Sequence, residues 1–251
     1  MFATTPITLI TPLRPASFVV LDLETGDAPE DAIESAIAAW KAPSNWKPET
    51  AAAKRQEAAE KIRERAALLD ASPILCIAIQ TDLERTIFNG MSEEAPTIEG
   101  WKVIGCGGEA GMMRALRAWM NAGTTPETVI VGHNARAFDM PKLRNAYVRH
   151  GLRLPELLKP RLRDEDKAEL VDTSSLFKAF SMEHRDDFCP SLDAVAASFG
   201  IQRPKQHMSG ADCPRLFKEG RFVEVLTYCA IDVATTARAY QIMTSTAQGL
   251  A

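Results

Sequence analysis

The stretch Phe18-Val19-Val20-Leu21-Asp22-Leu23-Glu24-Thr25-Gly26 decides how this chain is read. Phe18 to Leu21 is continuously apolar and rich in β-branched and aromatic side chains, the pattern of a buried strand, and Thr25-Gly26 closes it. Side chains alternate across a strand, so Asp22 and Glu24 share a face while Leu23 points away or lies over a bound substrate. Two acids on one face repel unless something cationic sits between them, and hard oxygen ligands suit Mg²⁺ or Mn²⁺. The plainer reading of the same residues is a solvated acidic strand end.

Beyond this strand the composition shifts to Ala, Glu, Lys and Arg, broken by Pro43 and Pro48, which predicts a helical insertion at about 27–72. Ile74–Ile79 and Arg85–Phe88 then read as a hairpin. Helical spacing over Glu109–Met120, a short strand at Thr128–Val131, a helix over Met140–Gly151 and a strand at Leu170–Asp172 follow. Leu192–Phe199 and Phe222–Thr244 read as helices; in the latter Phe222, Val225, Leu226, Cys229, Val233, Ala237 and Tyr240 form one apolar stripe. The expectation is an α/β mixed sheet flanked by helices, one domain over 1–251, with the insertion after the first strand.

Two further acids stand at places where a plain structural role competes with a chemical one. In Gly132-His133-Asn134-Ala135-Arg136-Ala137-Phe138-Asp139 a buried strand runs into a polar turn and a helix begins. Asp139 there is either a functional carboxylate or a helix cap worth about 1 kcal/mol. In Tyr228-Cys229-Ala230-Ile231-Asp232 a spacing of four is about one helical turn, so the phenol and the carboxylate project together. The alternative is a surface acid beside a core tyrosine.

Taken together, Asp22-x-Glu24, Asn134-x-x-x-Phe138-Asp139 and Tyr228-x-x-x-Asp232 resemble the Asp-Glu-Asp-Asp exonuclease superfamily in its tyrosine branch. The histidine branch would carry His one position earlier, where this chain has Thr227. Within the branch the chain resembles the exonuclease domain of family-B DNA polymerases and their stand-alone relatives, helped by Ser191-Leu192-Asp193 and Phe199-Gly200-Ile201.

The resemblance implies a ribonuclease H-like fold and hydrolysis of phosphodiester bonds from the 3′ end of a single-stranded nucleic acid, with DNA taken ahead of RNA. It implies two divalent cations, Mg²⁺ or Mn²⁺, about 3.5–4 Å apart across the scissile phosphate. On that pattern Asp22 bridges both ions, Glu24 and Asp232 complete one and Asp139 holds the other. Tyr228 orients the attacking water, because a phenol with an ordinary pKa near 10 is a poor base at neutral pH. Asn134 is expected to hold the terminal nucleotide, Leu23 and Thr25 to touch its base and sugar, and Phe138 to pack under the motif or meet the substrate. His133 is divided between a substrate contact and a structural hydrogen bond. The competing expectation is a catalytically silent nucleic-acid-binding module on the same fold, against which all four acids and Tyr228 are present.

Bulk charge does not favour a protein that coats nucleic acid: the net charge is −4. Locally, Lys142, Arg144, Arg149, Arg153, Lys159, Arg161 and Arg163 stand against the single acid Glu156, a candidate phosphate-tracking surface or an ordinary solvated face. Trp40-Lys41 and Trp46-Lys47 are candidates for stacking bases or for anchoring the insertion. Five cysteines, none in a CxxC pair, read as reduced and mostly buried thiols. With no apolar run of membrane length and no charged start of a secretory signal, no membrane partner is expected and the cytoplasm is the default setting.

Overall fold

A six-stranded mixed sheet organises the molecule, in the order β4-β3-β2-β1-β5-β6. The strands are β1 (Phe18–Thr25), β2 (Ile74–Thr81), β3 (Arg85–Asn89), β4 (Lys102–Gly105), β5 (Val129–Gly132) and β6 (Leu170–Asp172). The computed structural model describes residues 15–160, 170–202 and 208–248. β1 runs antiparallel to β2, and β2 to β3, whereas β1–β5, β5–β6 and β3–β4 are parallel. The expected α/β sheet of ribonuclease H-like type is therefore present, with the predicted hairpin as β2 and β3. β4 was not legible in the sequence. It is four residues long and lies parallel at the sheet edge, a pairing set by tertiary contact and not by a turn next to it.

The alternation of β1 sorts its side chains into two cores. Val19, Leu21 and Leu23 enter one cluster with α3 (Glu109–Gly123) and α4 (Asp139–Arg149), whose Met112, Met113, Leu116, Leu143 and Tyr147 fill that layer. Val20, on the opposite face, joins Cys76, Val131, Val225, Leu226 and Val233 in a second cluster under α8 (Phe222–Gln248). Each of these buried aliphatic side chains contributes about 1.5–3 kcal/mol of burial. By the same period of two, Asp22 and Glu24 fall on the α8 face of the sheet.

The insertion is a helical pair, α1 (Glu30–Ala39) and α2 (Pro48–Glu64). It has a small core of its own in Ala28, Ile33 and Ala66, and Arg63 of α2 pairs with Glu30 and Glu34 of α1. No residue of α2 is buried, so this helix is held by its ends and by ion pairs. Trp40 and Trp46 pack on each other, ring centroids 6.4 Å apart, and belong to none of the buried clusters. The short helices α5 (Thr173–Phe177), α6 (Leu192–Ser198) and α7 (Cys213–Lys218) complete the described chain. No described helix is long and apolar enough to cross a membrane.

Candidate active site

The acids converge where β1 ends. Asp22 and Glu24 project toward α8, and their carboxylate oxygens and Cys229 Sγ all lie within 4.8 Å of one another. Asp139 is the first residue of α4 and 2% exposed; its Oδ1 accepts a hydrogen bond of 3.2 Å from Leu23 N, between the two acids of β1. The carboxylate thus reaches across to the strand. Asp232, 8% exposed on α8, is close enough for its charge to act on both Asp139 and the Tyr228 phenol. Tyr228 also feels Glu24 and Asp22, and the turn Gly210–Asp212 closes over this group. A Cβ at Gly210 would lie 3.5 Å from Glu24 Oε2 and 3.9 Å from Tyr228 Oη.

The electrostatics are those of an acidic pocket. Burial, with the charges of Asp172 and Asp232 added, pushes the Asp139 carboxyl up to about 7. Burial and the charges of Asp232, Glu24 and Asp22 push the Tyr228 phenol well above its ordinary value, so it stays protonated. Carboxylates brought together in this way are the donor set that hard divalent cations neutralise, and Asp22 with Glu24 fits that chemistry by its oxygen chemistry and its spacing.

The loop that delivers Asp139 is strained and braced. Asn134 sits at φ 58°, in the left-handed region that Asn tolerates better than most residues. Its N–H and that of Arg136 donate to the two oxygens of Asp172, at 2.9 and 3.2 Å. Asp172 Oδ1 also accepts from Ser174 N and Oγ, so one buried carboxylate orders the loop and caps α5. Gly132 is required just before the loop, because a Cβ there would come 2.4 Å from Ala135 Cβ. In the sequence Asp172 was only the last residue of a short strand; its bracing role needs the β5–β6 pairing to be visible.

The remaining candidates separate by surroundings. Asn134, Phe138 and Thr25 line a cleft of about 900 Å³ that opens onto Glu24. Phe138 also packs against the core, and Thr25 Oγ1 donates to Ala67 O at 2.9 Å. Leu23 is 3% exposed in the core, the first of the two orientations weighed for it. His133 has the structural hydrogen bonds: Nδ1 is 3.0 Å from Thr173 Oγ1 and Nε2 is 2.9 Å from Pro190 O.

In the basic segment after Asp139, several of the cations are taken up by the protein itself. Lys142 is buried, and its Nζ donates to Leu69 O, Ala67 O and Ser72 Oγ. Arg144 Nε donates to Leu158 O, and Arg149 binds Asp70 O and Glu109. Lys159 pairs with Glu156, while Arg161 and Arg163 lie outside the described residues. Lys142 and Arg149 fasten the insertion to α4. The cleft carries other ones, Arg63 and Arg65 on the insertion side and Arg215 and Lys218 on the α7 side.

A mixed sheet of this order with acids gathered at the end of its central strand defines a ribonuclease H-like exonuclease class. Within it, the chain belongs to the family described as predicted 3′-5′ exonuclease related to the exonuclease domain of PolB, whose sequence model matches residues 91–250. That span contains Asp139, Tyr228 and Asp232 and stops short of β1, so Asp22 and Glu24 join the site through the geometry above. No curated protein matches the chain.

Proposed function

We propose that the chain hydrolyses phosphodiester bonds at the 3′ end of single-stranded nucleic acid, DNA ahead of RNA, with two divalent cations, Mg²⁺ or Mn²⁺. The observation that carries this reading is the hydrogen bond from Leu23 N to Asp139 Oδ1, which ties the acid of the second motif between Asp22 and Glu24 of the first. In the proposed roles Asp22, Glu24, Asp139 and Asp232 hold the ions. When bound, the ions supply a lowered pKa for the attacking water and charge stabilisation for the leaving 3′ oxygen.

The protein's own groups then position and exclude. Tyr228 remains protonated at any working pH, so it orients water by hydrogen bonding and does not act as a base. Asn134 and Phe138 meet the last nucleotide from one side of the cleft, and the Gly210–Asp212 turn covers Glu24 and Tyr228 from the other. The cleft volume is near the upper end of the roughly 300–1,000 Å³ typical of ligand pockets, and the insertion and α7 wall it on both sides. A paired end would have to fray before its terminal phosphate reached Glu24, which favours a single strand. The chain is proposed to act as one domain over 1–251, insertion included, in the cytoplasm.

The test is Mn²⁺-dependent degradation of 3′- and 5′-labelled DNA and RNA single strands beside a free nucleotide and a duplex. The expected result is early loss of the 3′ label, with Asp22→Ala slower by on the order of 10³-fold or more. Equal rates in Asp22→Ala and the parent would reject the site, and binding without hydrolysis would favour the silent module.

A further inference from the structure

Three thiols from three elements gather beneath Glu24 and Asp22, although nothing in their sequence spacing announced it. Cys76 stands opposite Glu24 in the β1–β2 register, on the same sheet face. Cys213, at the start of α7, has its Sγ 3.2 Å from Glu24 Oε2. Cys229 of α8 has its Sγ 3.7 Å from Asp22 Oδ2 and 3.5 Å from Asp22 O. All three are buried and free of disulfides.

From this placement we infer a mixed oxygen–sulfur site in which Asp22, Glu24 and Cys229 hold a thiophilic divalent cation of the Zn²⁺, Co²⁺ or Cd²⁺ class, with Cys213 hydrogen-bonded to Glu24 beside it. The inference rests on the reading of Asp22 and Glu24 as metal ligands and adds the Cys229 thiol, which a site for Mg²⁺ or Mn²⁺ does not use. In a tetrahedral site with Zn–S near 2.3 Å and Zn–O near 2.1 Å, neighbouring ligand atoms lie about 3.6 Å apart. The 3.7 Å between Cys229 Sγ and Asp22 Oδ2 is close to that value, and the ligand atoms of Asp22, Glu24 and Cys229 lie within 4.8 Å of one another. Soft thiolate ligands select for such ions over hard ones. Each ligating thiol exchanges its proton for the metal, so binding releases that proton to the buffer. A soft ion seated here occupies Asp22 and Glu24 and competes with Mg²⁺ for them, so micromolar Zn²⁺ inhibits the Mg²⁺-driven reaction.

The experiment is a Co²⁺ titration of the full chain followed by absorbance, with proton release and Mn²⁺-dependent hydrolysis measured in parallel. A thiolate-to-cobalt charge-transfer band is expected with Co²⁺ and absent with Mg²⁺. The band is lost in Cys229→Ser and kept in Cys106→Ser/Cys189→Ser, whose thiols lie elsewhere. No band in the parent protein overturns the inference whether or not any variant folds, and so does a band that survives Cys229→Ser. Hydrolysis without the band rejects the thiol ligand alone; the band without hydrolysis rejects the nuclease reading and leaves the ion site standing.

Discussion

Asp139 and Lys142 stand one turn apart on α4, both buried, and their surroundings differ in what they leave each charge to do. Lys142 faces the root of the insertion, where Ala67 O, Leu69 O and Ser72 Oγ accept its protons; burial pulls its ammonium down to about 8, so these three acceptors are what hold the charge in place. Asp139 faces the strand end, where its own N–H and Leu23 N donate hydrogen bonds while burial and the charges of Asp172 and Asp232 work against its ionised form. A buried charge with a complete protein shell builds the fold, and one set against like charges builds a site. The difference is not in the residues' burial, which is 2% for Asp139 and 5% for Lys142.

The largest expected effect follows from Asp139. Its carboxyl is raised from an ordinary 3.8 to about 7, so between those values the folded chain keeps a proton that the unfolded chain has released. The contribution of Asp139 to the stability of the metal-free protein is then fully present below about pH 4 and is lost as pH rises toward 7, by up to roughly 4 kcal/mol. A divalent cation bound to the folded state reverses the loss by mass action. Thermal unfolding in chelator should show this slope in the parent and a flattened one in Asp139→Asn, and added Mn²⁺ should raise the parent's Tm more. A slope of equal size in both proteins would mean that Asp139 is as well satisfied as Lys142, and the contrast would collapse.

Lys142→Met probes the other half. The substitution keeps an apolar stem of similar length and removes a charged donor from three acceptors, of which Ala67 O keeps Thr25 Oγ1 and Ser72 Oγ, and Leu69 O keeps Ser72 N, a cost of about 2–3 kcal/mol. For a chain of this length that lowers Tm by roughly 5–10 °C. Because Thr25 and Lys142 both bind Ala67 O, loosening the insertion root also loosens one wall of the cleft. An unchanged Tm would show the ammonium to be solvated.

How far the sequence carried these distinctions varies with the physics behind each. The period of two in β1 placed Asp22 and Glu24 on one face, and the three-to-four spacing in α8 placed Tyr228 with Asp232, because both depend on local geometry alone. The direction of the α4 cations was not readable, since whether Lys142 points to solvent or to the insertion depends on a helical pair some 70 residues earlier in the chain. Asp172 and the thiols 76, 213 and 229 escaped for the same reason: each becomes meaningful only once strands and helices remote in sequence are brought together. The second acid stands in a motif with Asn134 and Phe138, but its anchoring to Leu23 N is a contact across 116 positions that no spacing encodes.

The smallest effect concerns the exposed cations, and it separates those that line the cleft from those that only sit near it. Arg65 and Lys218 face each other across the cleft, and Lys218 is tied to Asp27 by a pair at 2.6 Å that is largely solvent-exposed. An exposed pair of this kind contributes about 0–1 kcal/mol and exchanges readily for a phosphate. Arg65→Ala/Lys218→Ala should therefore leave Tm nearly unchanged while raising KM for a single strand about tenfold, equivalent to about 1.4 kcal/mol of binding. Two lost phosphate contacts also make the dependence of log KM on log salt shallower by roughly 1.4. Arg153→Ala, at an exposed residue of the segment in which Lys142, Arg144 and Arg149 bind protein acceptors, should change neither quantity. A KM that rises for Arg153→Ala and stays fixed for the cleft pair would restore the α4 segment as the path of the nucleic acid and reassign the cleft.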